Sequence, residues 1–259
     1  MMNYIKVEQV LTDFLRNEIK RIGVQKAVIG LSGGIDSAVS AFLTVKALGH
    51  ENVLCVMMPY KTSSKNSLED AQKVVEILNV RSKIVDISKM VDAYIDTLEG
   101  EVSIVRKGNV MARMRMIVLY DESAKEKGIV VGTSNKTELF LGYSTLHGDS
   151  ACAINPLGQL YKTQIFELAK HLNVPKEIID KKPSADLWAG QTDEEEMGIT
   201  YARVDKLLTA MIDEEKSDSE LQKMGFEDEF IIKVKGMIKR NEFKGLPPVV
   251  ANLMGVDLS

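Results

Sequence analysis

Apolar residues follow two alternating patterns over roughly the first half of the chain. Short apolar runs, typical of strands buried on both faces, occur at residues 27–31, 53–58 and 129–132, and a further strand is predicted at residues 83–87, where Lys83 and Asp86 flank or interrupt the apolar residues. Between them apolar residues recur at helical spacing, which predicts amphipathic helices at residues 3–22, 36–48, 66–78 and 109–127. Strands that alternate with helices in this way are typical of an α/β fold. We therefore predict a doubly wound, mostly parallel sheet with helices on both faces.

The pattern changes after residue 160, where strand signals end and three or four helices are expected. The sequence thus predicts a single domain over residues 1–259, with an α/β nucleotide-binding core at 1–160 and a helical part at 161–259. Residues 181–198 are rich in charge and turn formers, so we expect a mobile loop there. A second solvated stretch is expected at residues 213–219.

Composition narrows the class of protein. The 259 residues carry a formal net charge of −4, which argues against nucleic-acid binding or a membrane-attracted face. No apolar run approaches the roughly 20 residues that cross a bilayer, and the first residues lack the apolar stretch of a signal peptide. Cys55 and Cys152 form no C-x-x-C pair and cannot build a zinc cluster by themselves. We expect a cytoplasmic globular protein with both cysteines free.

A loop suited to phosphate lies between the first strand and the next helix, at Gly30, Leu31, Ser32, Gly33, Gly34, Ile35, Asp36 and Ser37. Its glycines allow a tight turn that brings backbone N–H groups to an anion, and the helix N-terminus adds partial positive charge. The spacing matches neither the Walker nor the dinucleotide-binding pattern. Because Asp36 would repel phosphate, we expect Mg²⁺ to lie between them. The alternative is an ordinary turn in which Asp36 caps the helix.

Ligands of parallel sheets bind beyond the carboxyl ends of the strands, near a switch in strand order. The turns that follow Leu31, Met58 and Gly132 are therefore expected to surround one crevice.

The S-G-G-x-D-S loop resembles that of the ATP pyrophosphatase family, which cleaves ATP between the α- and β-phosphates and adenylates a carboxylate or carbonyl oxygen. That family includes GMP synthetase, asparagine synthetase, tRNA thiolases and NAD⁺ synthetase. Further stretches resemble NAD⁺ synthetase in the expected order, at residues 108–116 (G-N-V-M-A-R-M-R-M), 132–138 (G-T-S-N-K-T-E), 142–149, 156–164, 183–187 and 190–194. Because they extend over nearly the whole chain, the protein is identified as a member of the NAD⁺ synthetase family.

This resemblance implies a carbon–nitrogen ligase that amidates deamido-NAD with ammonia and ATP, through an adenylated intermediate, to give NAD⁺, AMP and pyrophosphate. The implied residues are Thr133 and Ser184 on ATP, Lys162 on its phosphates, Asp36, Glu138 and Asp149 on Mg²⁺, and Arg113 on deamido-NAD. Two Mg²⁺ ions would offset the repulsion among these carboxylates and the triphosphate. Asp36, Glu138 and Lys162 are the implied catalytic residues, and Arg115 is expected to be structural.

The family also implies a homodimer with the dinucleotide at the subunit boundary. The predicted helix 109–127 supports this, because Met111, Met114, Ile117 and Val118 make it apolar over a wide arc. The alternative is that C-terminal helices of the same chain cover this arc.

Several positions depart from the common family pattern. Leu146 and Ala153 stand where many members have Lys and Asp, and Glu242 and Phe243 precede Lys244 where many have a His-Lys pair. The family uses these positions for the nicotinate end of deamido-NAD, so the residues that contact the nicotinate ring are left open.

Two other functions fit parts of the sequence. Another ligase or a tRNA thiolase would share the loop, but a thiolase is expected to have catalytic cysteines and a basic RNA-binding face. A nonenzymatic adenine-nucleotide sensor would be expected to lose the acidic residues Asp36, Glu138 and Asp149, all of which are present. Glutamine-dependent synthetases have an additional domain with a nucleophilic cysteine, so we expect ammonia as the nitrogen donor.

Overall fold

The central element is a four-stranded parallel sheet in the order β3-β2-β1-β4. The computed structural model describes residues 2–188 and 190–252. Its strands are β1 Ala27–Gly30, β2 Val53–Met57, β3 Arg81–Ile84 and β4 Ile129–Val131. The chain builds outward from β1 to β3 and then returns to the other side of β1 for β4. The switch in strand order therefore lies between β1 and β4, where a ligand crevice is expected.

The helices are α1 Tyr4–Ile22, α2 Ile35–Leu48, α3 Lys65–Leu78, α4 Ser88–Ile95, α5 Ile104–Glu126, α6 Lys136–Leu141, α7 Lys162–His171, α8 Lys176–Ile179, α9 Asp193–Met197, α10 Tyr201–Leu208, α11 Asp218–Lys223 and α12 Asp228–Asn241. A π-helical turn, Thr209–Asp213, continues α10, and 3-10 turns occupy His50–Asn52 and Glu242–Gly245. Among the described residues, no helix is long and apolar enough to cross a membrane.

Helices cover both faces of the sheet, as expected from the apolar residues of β1, β2 and β4. One face packs against α1, α2, α3 and α7, with Ile29 and Cys55 pointing to this side. The other face packs against α4 and α5, where Val28 and Val56 meet Val91 and Met111. The predicted α/β fold class is thereby confirmed.

A third apolar cluster, the C-terminal cluster, joins α6 to helices from the second half of the chain. Its buried residues are Leu141, Tyr161, Met197, Ile199, Tyr201, Val204, Leu207, Leu208, Ala210, Leu221, Ile231 and Val234. This cluster contains most of the predicted helical part, although the described residues after 160 form six α-helices, α7 to α12, instead of three or four.

The third strand begins and ends earlier than predicted. The apolar pattern placed it at residues 83–87, but β3 spans Arg81–Ile84. All of its residues are exposed, and it forms one edge of the sheet. Val85 and Ile87 still donate backbone hydrogen bonds, to Met57 at 2.9 Å and Pro59 at 3.0 Å, as the chain leaves the sheet.

Two helical features were missed. Helix α4 was not predicted, since Val91 is its single fully buried residue among Ser88–Ile95. Helix α5 starts at Ile104 instead of 109, because Gly108, a poor helix former, lies inside it. A Cβ at Gly108 would lie 3.0 Å from Cδ1 of Leu187.

Candidate active site

A cavity of about 750 Å³ opens at the carboxyl ends of β1, β2 and β4. Leu31, Met58 and Gly132 all line it, so the three turns predicted to surround one crevice do so. Residues of helix α5 and of the segment 181–188 also line it.

The phosphate-type loop is held in a single shape by its own side chains. Gly33 has φ +78°, and a Cβ there would lie 2.1 Å from the carbonyl oxygen of Ser67. The hydroxyl of Ser32 accepts a hydrogen bond from the Gly34 N–H at 3.2 Å, and the hydroxyl of Ser37 donates to the Gly34 carbonyl at 2.9 Å. Since Gly34 caps α2 without a side chain, the first N–H groups of α2 can face an anion.

Lys162 joins two of the predicted carboxylates inside the cavity. Its side chain is 3% exposed, and its Nζ donates to Asp36 and lies 3.4 Å from Oε1 of Glu138. Burial and the neighbouring charge of Asp36 raise the pKa of Glu138. Burial acts to lower the pKa of Lys162, but the charges of Asp36 and Glu138 outweigh it and the pKa is raised. The lysine therefore remains an ammonium beside both carboxylates.

Asn135, which sequence reasoning did not single out, connects the same two carboxylates. Its side chain is fully buried. The Nδ2 atom donates to Oδ1 of Asp36 at 2.9 Å, and the Oδ1 atom accepts from the Glu138 N–H at 3.0 Å. Its spacing to Glu138 is that of a capping box, which the sequence could have indicated.

The start of α7, where Lys162 lies, is fixed by Asp205 from α10. Its carboxylate accepts from the Thr137 hydroxyl at 2.6 Å and from the Thr163 N–H at 2.7 Å. The Thr137 hydroxyl in turn accepts from the Lys162 N–H at 3.0 Å. No local pattern in the sequence identifies Asp205, because its partners lie on two other helices.

Part of the predicted loop 181–198 is ordered against the site. Its residues 193–197 form α9, and Ala189 lies outside the described residues. Asp193 is buried and accepts hydrogen bonds from Tyr201 at 3.0 Å and Tyr143 at 3.2 Å. Asp186 accepts from the Ser64 N–H at 3.1 Å, which links this segment to the start of α3. The mobility of the loop stays a prediction.

The remaining residues predicted to bind ATP or Mg²⁺ also lie at this cavity. Thr133, Ser184 and Asp149 line the cavity, and Asp149 accepts from the Thr145 N–H at 2.8 Å. Within residues 2–188 and 190–252, no three carboxylate, imidazole or thiol groups converge tightly enough to form a metal site alone. Asp149 therefore does not join Asp36 and Glu138 in one compact group.

The two arginines of α5 face different surroundings. Arg113 is exposed and donates to the Leu146 carbonyl at 3.2 and 3.3 Å. Arg115 lines the cavity and donates to the Met58 carbonyl at 3.1 Å. Arg113 is not among the described residues that line the cavity, so its contact with deamido-NAD stays a prediction.

Comparison with known proteins decides the family. A family model described as NAD synthase matches residues 7–248. The chain belongs to the NAD synthase family. The NH(3)-dependent NAD(+) synthetase of Chlorobium phaeobacteroides (strain BS1) is 52% identical over 252 residues, which cover 97% of this chain and 91% of that protein. The predicted family is confirmed.

Solved structures of the family share the whole fold. An NH3-dependent NAD synthetase from Campylobacter jejuni, in complex with the nitrate ion, is 38% identical with a TM-score of 0.83, covering 97% of this chain and 100% of that one. An NMN synthetase from Francisella tularensis is 35% identical with a TM-score of 0.87 over the same shares of both chains.

Proposed function

We propose that this protein is an ammonia-dependent ligase of NAD biosynthesis that amidates deamido-NAD and converts ATP to AMP and pyrophosphate. Membership of the NAD synthase family supports the ligase activity. The observation in the site that supports it best is the convergence of the Ser32–Ser37 loop and Lys162 in one cavity. This pairs backbone N–H donors with a buried ammonium, as a polyphosphate requires.

ATP would lie with its phosphates between the loop and α7. The loop and the first residues of α2 line this space, and Lys162 adds a full positive charge. Thr133 and Ser184 also line the cavity, and their hydroxyls would bond to the nucleotide. The roles of Gly30 to Ser37, Thr133, Lys162 and Ser184 are part of this proposal.

The acidic residues fit Mg²⁺ by their chemistry. Mg²⁺ prefers oxygen ligands and is commonly held by one or two carboxylates together with substrate phosphates. Asp36 and Glu138 provide two carboxylates on the cavity wall beside the loop, so a larger protein cluster is not required. When bound, the ion offsets negative charge on the polyphosphate. Asp149 lies elsewhere on the wall, and its part in a second Mg²⁺ site stays a prediction.

The residues of the chain would serve mainly to place reactants and exclude water. The carboxylate of deamido-NAD attacks the α-phosphate of ATP, which forms an acyl adenylate and releases pyrophosphate. Lys162 balances charge on the phosphates during this step. Ammonia then attacks the activated carbonyl and AMP leaves. The segment 181–188 lines the cavity and would limit hydrolysis of the adenylate by water.

A homodimer and a cytoplasmic location complete the proposal. Helix α5 buries Met111 and Val118 against the sheet but leaves Ile117 52% and Tyr120 41% exposed. An apolar helix face of this kind is commonly covered by a second subunit. The free state of Cys55 and Cys152 agrees with a reducing cytosol.

The decisive experiment is to incubate the purified chain with ATP, Mg²⁺, deamido-NAD and ammonium, and to separate the products by chromatography. We expect NAD⁺ and AMP in equal amounts. Formation of ADP in place of AMP would contradict the adenylation mechanism.

A second candidate is amidation of the mononucleotide. One solved structure that is 35% identical to this chain is named NMN synthetase. The same assay with nicotinic acid mononucleotide tests this candidate. A higher kcat/KM for the mononucleotide than for deamido-NAD would favour it.

A further inference from the structure

We propose that Asn135 is a positioning residue that sets the spacing of Asp36 and Glu138 for the metal-bound nucleotide. This inference rests on the proposed function, in which those two carboxylates hold Mg²⁺ on ATP. Asn135 itself is not expected to touch the nucleotide.

Two carboxylates from distant parts of the sequence meet at this one amide. Asp36 lies in the first turn of α2 and Glu138 in the first turn of α6. Asn135 binds Asp36 through Nδ2 at 2.9 Å and the Glu138 N–H through Oδ1 at 3.0 Å. Its own N–H donates to Oε2 of Glu138 at 3.2 Å. The same residue therefore orients both carboxylates as well as the helix that bears one of them.

The orientation of the amide follows from its partners. An ionised carboxylate can only accept a hydrogen bond and a backbone N–H can only donate one. The Nδ2 atom must therefore face Asp36 and the Oδ1 atom must face the Glu138 N–H. Since Asn135 is fully buried, water cannot substitute for either bond, and the loss of one is not compensated.

Asn135 does more than an ordinary helix cap. A cap needs a single side-chain acceptor for a first-turn N–H, which serine or threonine supplies as well as asparagine. Asn3 at the start of α1 is such a case, since its side chain accepts from the Lys6 N–H at 3.1 Å and is exposed. The bond from Nδ2 to Asp36 has no part in capping, and serine is too short to make it. The two functions can therefore be separated by substitution.

The test compares Asn135→Ser and Asn135→Thr with the control Asn3→Ser in the full chain. All three variants keep a capping acceptor and are expected to fold. The melting temperature should stay at the wild-type value in Asn3→Ser and should fall modestly in the Asn135 variants, because these also lose the buried bond to Asp36. Binding of ATP is then measured by calorimetry at increasing Mg²⁺, without the other substrates. We expect the Mg²⁺ concentration for half-maximal ATP binding to rise about tenfold in the Asn135 variants and to stay unchanged in Asn3→Ser.

The outcomes separate this inference from the proposed function. An Asn135→Ser or Asn135→Thr chain that folds and shows the Mg²⁺ dependence of the wild type would overturn the positioning role alone. If the wild type itself binds ATP equally well with and without Mg²⁺, the proposed metal site is wrong and this inference falls with it.

Discussion

Gly33 lies against the backbone of Ser67, so that a Cβ added to Gly33 would stand 2.1 Å from the Ser67 carbonyl oxygen. The phosphate-type loop is thereby packed onto the start of α3, where Ser64 and Ser67 also bind Asp186 and Lys181 of the segment 181–188. Only glycine fits at this position, because any Cβ would clash with Ser67 and would strain the left-handed φ of +78°.

Replacing Gly33 with alanine should therefore displace the loop. We expect a loss of more than about 1 kcal/mol in the free energy of unfolding, from the strained φ together with the clash, and a severe loss of ATP binding. Gly34→Ala is the matched control, since Gly34 has φ −91° and its Cβ would meet only Ser32 Oγ, at 3.3 Å. Thermal denaturation of both variants checks this. Equal stability of Gly33→Ala and the wild type would contradict it.

Removing the charge of either carboxylate beside Lys162 should reduce turnover while leaving the fold intact. For Asp36→Asn and Glu138→Gln we expect a rate at least about 100-fold lower, because metal-assisted charge stabilisation contributes several kcal/mol. The control is Glu177→Gln. Glu177 is an exposed residue of α8 that forms an ion pair with Lys73 of α3. Steady-state rates with varied Mg²⁺ provide the measurement. A Glu138→Gln enzyme of near-normal rate and Mg²⁺ dependence would show that Glu138 does not hold Mg²⁺.

The rate at fixed total ammonium should rise between about pH 7 and about pH 9, because the neutral amine is the nucleophile. Glutamine at the same concentration should support little amide formation. The measurement needs saturating ATP and deamido-NAD and conditions in which amide formation limits the rate. A flat profile under those conditions would count against direct attack by free ammonia.

Glu126 should contribute stability that disappears in acid. Its carboxylate accepts from Arg81 at 2.7 and 2.9 Å and from Lys26 at 3.0 Å, which joins α5 to the sheet. Hydrogen bonds from Arg81 and then Lys26 lower the pKa of Glu126 from 4.5 to about 2. A lowered folded-state pKa stabilises the protein above pH 4.5, and the contribution is lost as the pH falls toward about 2.

The variant Glu126→Gln should thus be less stable than the wild type near neutrality, and the difference should shrink across that acid range. Denaturant unfolding at several pH values measures it. Glu167→Gln, which breaks an exposed pair with Lys170, serves as the control and should change little. A gap between Glu126→Gln and the wild type that is constant with pH would rule out this linkage.

The chain should be a dimer at micromolar concentration by light scattering. Ile117→Asp, at an exposed position of α5, should shift it toward monomer by placing a charge in the proposed interface. Ile232→Asp on α12, at a residue 69% exposed, should leave the dimer intact. A wild-type chain that is a fully active monomer would exclude a shared site.

The strands and the loop were predictable because their signals are local. Continuous apolar runs identify β1, β2 and β4, since both faces of these strands are buried. Strand β3 is exposed and lacks such a run, so its bounds were predicted wrongly. The loop could be predicted because Gly33, Gly34 and Asp36 lie close together in the sequence. The bond from Asn135 to Asp36 could not be predicted, because it joins residues 99 positions apart and depends on how two helices meet.

Asp205 shows the same limit more strongly. In the sequence nothing distinguishes Asp205 from the many other acidic residues of the chain. Its role in fixing the start of α7 arises only when Thr137 and Thr163 are folded against it. Arg113 and Arg115 share one motif, and the resemblance assigned Arg113 to the ligand and Arg115 to a structural role. Of the two, it is Arg115 that lines the cavity. Local patterns therefore reveal the anion-binding loop, while the residues that align it with α6 and α7 emerge only from tertiary packing.

Helix α6 precedes residue 160, the boundary expected between the two parts, but Leu141 packs inside the C-terminal cluster with α10 and α12. Asp36, by contrast, lies on α2 against the sheet. A partial unfolding that opens the C-terminal cluster would therefore withdraw Glu138 while Asp36 stays in place. A nucleotide bound between them would tie the two regions into one cooperative unit, and hydrogen exchange at α10 and α12 should slow when ATP binds to a loop on the far side of the cavity.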